Sequence, residues 1–71
     1  MYNLISYTVR EKPIYTVSVF DGSAYWATKV YTESFTDFET ALDNARTIEK
    51  YSPSHYRVEI NKEIRREIIY N

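Results

Sequence analysis

The sequence predicts a small α+β domain, an antiparallel sheet with one helix packed on one face. Three observations carry that reading. Apolar residues alternate with polar ones through the first third of the chain, an Asp21-Gly22 dipeptide separates two such runs, and a capped amphipathic stretch follows from Thr36 to Lys50. The 71 residues, 1–71, are read as a single domain, because so short a chain cannot build two hydrophobic cores. The predicted order is β-β-β-α-β-(β), with the last strand in parentheses because its segment also carries a helical pattern.

Residues 2–10 read as the first strand, with Ile5, Tyr7 and Val9 on one parity and Tyr2, Leu4, Ser6 and Thr8 on the other. Arg10-Glu11-Lys12-Pro13 is expected to break the run, since proline cannot donate a ladder hydrogen bond. A second strand, Ile14 to Phe20, leads into Asp21-Gly22, a strong hairpin signal because glycine tolerates the positive φ of a type I′ turn. The third strand is placed from Ser23 to about Thr32. With a two-residue loop, Val19 opposes Ala24 and Val17 opposes Trp26. Tyr15, Val17, Val19, Ala24, Trp26, Thr28 and Val30 then form the core side, and Ile14, Thr16, Ser18, Phe20, Tyr25, Ala27, Lys29 and Tyr31 the outer side.

The helix is expected to begin at a capping box, Thr36-Asp37-Phe38-Glu39, in which Thr36 and Glu39 satisfy each other's free backbone N–H groups. Phe38, Ala41, Leu42, Ala45 and Ile48 make one apolar stripe. Asp37, Glu39 and Asp43 in its first half, with Arg46 and Lys50 in its second, match the helix dipole, and Tyr51-Ser52-Pro53 ends it. Beyond, Tyr56, Val58, Ile60, Ile64, Ile68 and Tyr70 share even parity, with Lys62 and Arg66 as exceptions. A strand Tyr56 to Ile60, a turn at Asn61-Lys62-Glu63 and a last strand would satisfy that pattern. The spacing of Ile60, Ile64 and Ile68 by four is the competing helical signal, and strand is favoured over it.

Composition narrows function. The absence of cysteine excludes a disulfide scaffold and a zinc module, and a single glycine excludes the glycine-rich phosphate loops. No apolar run approaches the roughly 20 residues of a membrane span, so a cytoplasmic protein without a membrane partner is expected. Nine basic against ten acidic residues leave a net charge of −1, which lowers the expectation of non-specific nucleic-acid binding.

Catalysis finds little to work with. His55 is the one histidine, and its neighbour Ser54 would point to the opposite side of an extended chain, away from a triad with Glu59. The carboxylates of the helix and of Glu59, Glu63 and Glu67 are explained by dipole matching and a solvated, salt-bridged face. The chain is therefore expected to be non-catalytic, with no cofactor and no metal.

Eight tyrosines exceed what so small a core can satisfy, and tyrosine is prominent in protein interfaces. In its size and its Tyr-, Ile- and Asn-rich, Cys-free composition the chain is similar to small stand-alone proteins of phages and mobile elements. That resemblance implies an inhibitor, of the anti-CRISPR or wider anti-defence type, that occupies a surface of a host protein such as a nucleic-acid-processing enzyme. Phe20, Tyr25 and Tyr31 are the expected apolar anchors, with Glu33, Asp37, Glu39 and Asp43 as an acidic rim, and a homodimer is a further expected state. The alternative is a nucleic-acid-binding domain, a DNA-binding regulator or recombinase accessory, using the sheet face with Arg10, Lys12, Tyr25, Lys29 and Tyr31.

Overall fold

A computed structural model describes residues 4–22 and 27–70. Its elements are β1 (Tyr7–Asp21), β2 (Thr28–Phe35), α1 (Phe38–Tyr51) and β3 (Tyr56–Tyr70). They form a three-stranded antiparallel sheet of order β2-β1-β3 with one helix, a small α+β architecture. The element order is β-β-α-β, so two strands precede the helix where three were expected.

The difference comes from two continuous strands. β1 and β3 each hold 15 residues and pair one-to-one from Tyr7↔Tyr70 to Asp21↔Tyr56. Arg10-Glu11-Lys12-Pro13 does not interrupt β1, because beside Pro13 the strand has a partner on one side only: β2 pairing stops at Tyr15↔Phe35. A proline is tolerated where one edge is free. Likewise Asn61-Lys62-Glu63 makes no turn, and the even parity from Tyr56 to Tyr70 belongs to one strand, not to two or to a helix.

The β1–β2 hairpin also departs from expectation. Gly22 has no positive φ, and the strands are joined through residues 22–27. Glycine is required there for close approach: its N–H donates to the His55 carbonyl at 3.0 Å, and a Cβ would sit 3.0 Å from that oxygen. The longer connection gives the pairing Tyr15↔Phe35, Val17↔Glu33 and Val19↔Tyr31, and the register then shifts so that Phe20 faces Lys29. Val30 is the extra residue of this bulge, and an extra residue reverses side-chain parity. Tyr31 therefore lies on the face of Val19, the helix side, while Lys29 lies with Phe20 on the other. The expected partners Ala24 and Trp26 fall outside the described residues, as does Tyr25.

Since β1 is antiparallel to both neighbours, β2 and β3 run parallel, and the connection between them must cross over β1. That crossing lays α1 on the centre of the sheet. Val17 and Ala41 are fully buried and Ala45 nearly so, with Tyr15, Phe35, Ile48, Val58 and Ile60 packed around them. The alanines let the helix approach closely, and the Phe38 ring tilts against Tyr15 with centroids 5.4 Å apart. The apolar stripe is as expected, but the cap is one residue later: Asp37, not Thr36, accepts from the Thr40 N–H (3.0 Å) and hydroxyl (2.9 Å).

A 14-residue helix spans about 21 Å, whereas 15-residue strands span about 50 Å. The helix thus covers only one end of the β1–β3 ribbon, and the other end projects as a two-stranded arm. The molecule measures 64 × 27 × 11 Å, with a radius of gyration of 18.2 Å against about 11 Å for a compact chain of this length.

Two substitutions test these assignments. Asp37→Ala should cost about 1 kcal/mol, lowering Tm by roughly 4–8 °C, while Thr36→Ala should leave Tm nearly unchanged. Gly22→Ala should destabilise by a similar amount through the His55 carbonyl; an unaltered Tm would show that the close approach is absent.

Candidate functional site

Of the expected apolar anchors, the structure describes Phe20 and Tyr31, and it separates them onto opposite faces of the sheet. On the face away from the helix, Phe20 is half-buried between two cations, with Arg57 Cζ 4.9 Å and Lys29 Nζ 5.7 Å from its ring centroid. The rest of this face is hydroxylic: the Thr16 and Ser34 hydroxyls lie 3.1 Å apart and those of Ser18 and Thr32 3.5 Å apart. Ile14, expected on the outer side, is only 8% exposed. Where three strands lie side by side the outer face is therefore mainly polar, with Ile14 buried and Phe20 clamped.

On the helix side, Tyr31 donates its hydroxyl hydrogen to Glu33 Oε2 and accepts from the Asn44 amide. The Glu33 carboxylate holds the phenol proton, with some help from desolvation, and so raises the Tyr31 pKa above the usual tyrosine value; the Asn44 hydrogen bond works in the opposite direction. This chain of side chains ties β2 to the middle of α1. Glu33, Asp37, Glu39 and Asp43 are all exposed, and Asp37 also caps the helix.

His55 pairs with Asp21, Nε2 to Oδ1 at 3.5 Å, and stands edge-on to Tyr56 at 4.9 Å. Glu59 is engaged by Arg57 at 3.3 Å. These contacts close the end of the sheet and assemble no nucleophile, base and orienter from Ser54, His55 and Glu59. Among the described residues no group of His, Asp or Glu could hold a metal ion, and no helix is long and apolar enough to cross a membrane.

A contiguous exposed apolar surface lies elsewhere, on the arm. The odd residues of β1 and even residues of β3 that form the core beneath α1 continue past it as Pro13 opposite Ile64, Val9 opposite Ile68 and Tyr7 opposite Tyr70. Val9 and Ile64 are about half exposed, and Tyr70 is 70% exposed. Ile5, Tyr7, Val9, Ile68 and Tyr70 line an open concavity of about 400 Å³, and Arg66, bonded to Glu11 at 3.2 Å, forms its inner end. Sequence parity contained the signal, since Ile5, Tyr7 and Val9 share the odd parity of Tyr15, Val17 and Val19. A break placed at Pro13 concealed that they share one face.

No protein-family model matches the chain, and the comparisons with curated proteins and with solved structures return no match.

The Tyr31 linkage gives a pH-dependent expectation. A raised folded-state pKa means that this contact stabilises the fold fully below the unfolded tyrosine value near 10 and loses its effect as pH rises through the higher folded value. Ring-labelled NMR should show Tyr31 ionising above the usual tyrosine value, and Glu33→Gln should lower its midpoint toward that value. Unchanged titration in that variant would remove the Glu33 contact as the cause.

Proposed function

We propose that this protein is a non-catalytic protein-interaction module that works stoichiometrically, with the apolar face of the β1–β3 arm as its main contact surface. The observation that supports the reading is the uncovered continuation of the core face, rich in aromatic and branched side chains and set on a regular ribbon. Exposed surfaces of this kind mark interaction sites, and buried tyrosines at such contacts contribute disproportionately. The exposed acids Glu33, Asp37, Glu39 and Asp43 offer a second contact suited to a basic, nucleic-acid-handling surface on a target. The narrower assignment, a phage or mobile-element inhibitor of a host defence protein, draws on the compositional resemblance together with that acidic edge. Phe20, clamped by Arg57 and Lys29, is the less favoured anchor.

One observation favours nucleic-acid binding as a second reading. Lys12 and Arg65 oppose each other directly on the polar face of the arm, with Arg10 beside them, a like-charge pairing that an anion would relieve. Glu63 and Glu67 on the same face reduce that field.

Capture from a bacterial lysate, with and without nuclease, separates these readings. A protein retained near stoichiometrically after nuclease treatment, and held at least about 30-fold more weakly by the Tyr7→Ser/Tyr70→Ser or the Glu39→Lys/Asp43→Lys variant, is the expected result. Retained material that disappears with nuclease would overturn it in favour of nucleic acid.

A further inference from the structure

The arm should not stand alone in water. An isolated two-stranded ribbon is marginally stable, yet here β1 and β3 keep their register to Tyr7↔Tyr70, well past the end of the helix. The surface area makes the same point. A compact protein of 8.5 kDa exposes about 4,700 Å², and this chain exposes 6007 Å². The excess, roughly 1,300 Å², is larger than the about 800 Å² that each partner loses in a standard protein–protein interface.

We infer that the apolar face of the arm is covered by the same face of a second copy of this chain, around a two-fold axis through the Val9–Ile68 pair. The inference rests on the reading of this face as a contact surface and names its first occupant. Three features choose that occupant and its orientation. Edge-to-edge addition of a strand is disfavoured, because the free edge of β1 carries Pro13 with its flanking Lys12, and the outer strand β3 carries Glu63, Arg65, Arg66 and Glu67 along its arm half. Covering must therefore come from the face.

The helix sets the direction. Stacked sheets lie about 10 Å apart, and α1 fills that depth over the Tyr15 end of the sheet. Two copies stacked with strands in the same direction would bring their helices into collision. The opposite direction places each arm tip toward the other copy's helix. The uncovered face runs from Ile5 to Pro13, so its midpoint is Val9, paired with Ile68.

Chemical matching follows from that midpoint. Rotation about the Val9–Ile68 pair lays Ile5 over the second copy's Pro13, and lays Tyr7 and Tyr70 over its Glu11 and Arg66. Tyr7 can then donate its hydroxyl hydrogen to the carboxylate of the second Glu11, and the Tyr70 ring can receive the second Arg66 guanidinium on its π face. Glu11 and Arg66 are already joined to each other, so the face has no net charge and selects neither an acidic nor a basic stranger. The one polar pair in the apolar face thus meets the two groups in it that carry a polar hydroxyl.

Sedimentation equilibrium of the full chain in the micromolar range is the first test, with twice the 8.5 kDa chain mass expected. Val9→Asp/Ile68→Asp should yield the chain mass while the helical circular dichroism of α1 remains, because four carboxylates would crowd the axis. If that variant fails to fold, cysteine cross-linking decides instead in this Cys-free protein. Val9→Cys should join to its own copy through a short bis-maleimide, whereas Thr8→Cys, on the opposite face, should not. A wild-type monomer, or cross-linking through Thr8→Cys and not Val9→Cys, would overturn the inference. A dimer that captures no other protein would leave it standing and remove the wider interaction reading. A monomer that captures a protein through Tyr7 and Tyr70 would do the reverse.

Discussion

The structure depends on a mismatch of length. β1 and β3 pair over 15 residues, and α1, the one helix among the described residues, is less than half as long. Everything beneath α1 behaves as a small protein core should: Val17 and Ala41 are sealed, the alanine pair brings helix and sheet together, and Tyr15 meets Phe38. Beyond it the same alternation of side chains continues, with no second layer among the described residues. One face of one ribbon is thus core at one end and surface at the other.

Crossing topology decides which end is which. The helix must pass over β1 because β2 and β3 flank it in parallel, and β2, with eight residues, reaches only from Thr28 to Phe35. The helix therefore sits where three strands are side by side, and the arm begins where β2 ends. Pro13 stands close to that border. A strand paired on both edges tolerates proline poorly, whereas beside Pro13 β1 has one free edge, where a proline discourages another strand from pairing.

Around this frame the polar residues perform local structural tasks. Asp37 holds the helix start, Glu33 and Asn44 hold Tyr31, the Asp21–His55 pair closes the sheet end, and Arg57 with Lys29 clamps Phe20. Each of these contacts joins two elements of the fold or closes one of its ends, whereas the exposed face of the arm is mainly apolar.

Much of the architecture was legible in the residues. The α+β class, the helix with its Ala41–Ala45 stripe and its end before Pro53, and the core parity of Tyr15, Val17 and Val19 all follow from local periodicity and capping chemistry, which act over a few residues. The continuity of β1 and β3, the bulge at Val30 and the cap at Asp37 do not. Asp21-Gly22 is chemically suited to a tight turn, but Gly22 donates to the carbonyl of His55, 33 positions away, and the β1–β2 register follows a longer connection. One residue of register or one bulge reverses a side chain's face, so Tyr31 moved to the helix side while Phe20 and Lys29 stayed outside. Sequence alone determined which residues are apolar and how they alternate. Only the tertiary structure decided how far the single helix reaches along them, and hence which part of that alternation is core and which part is left for a partner.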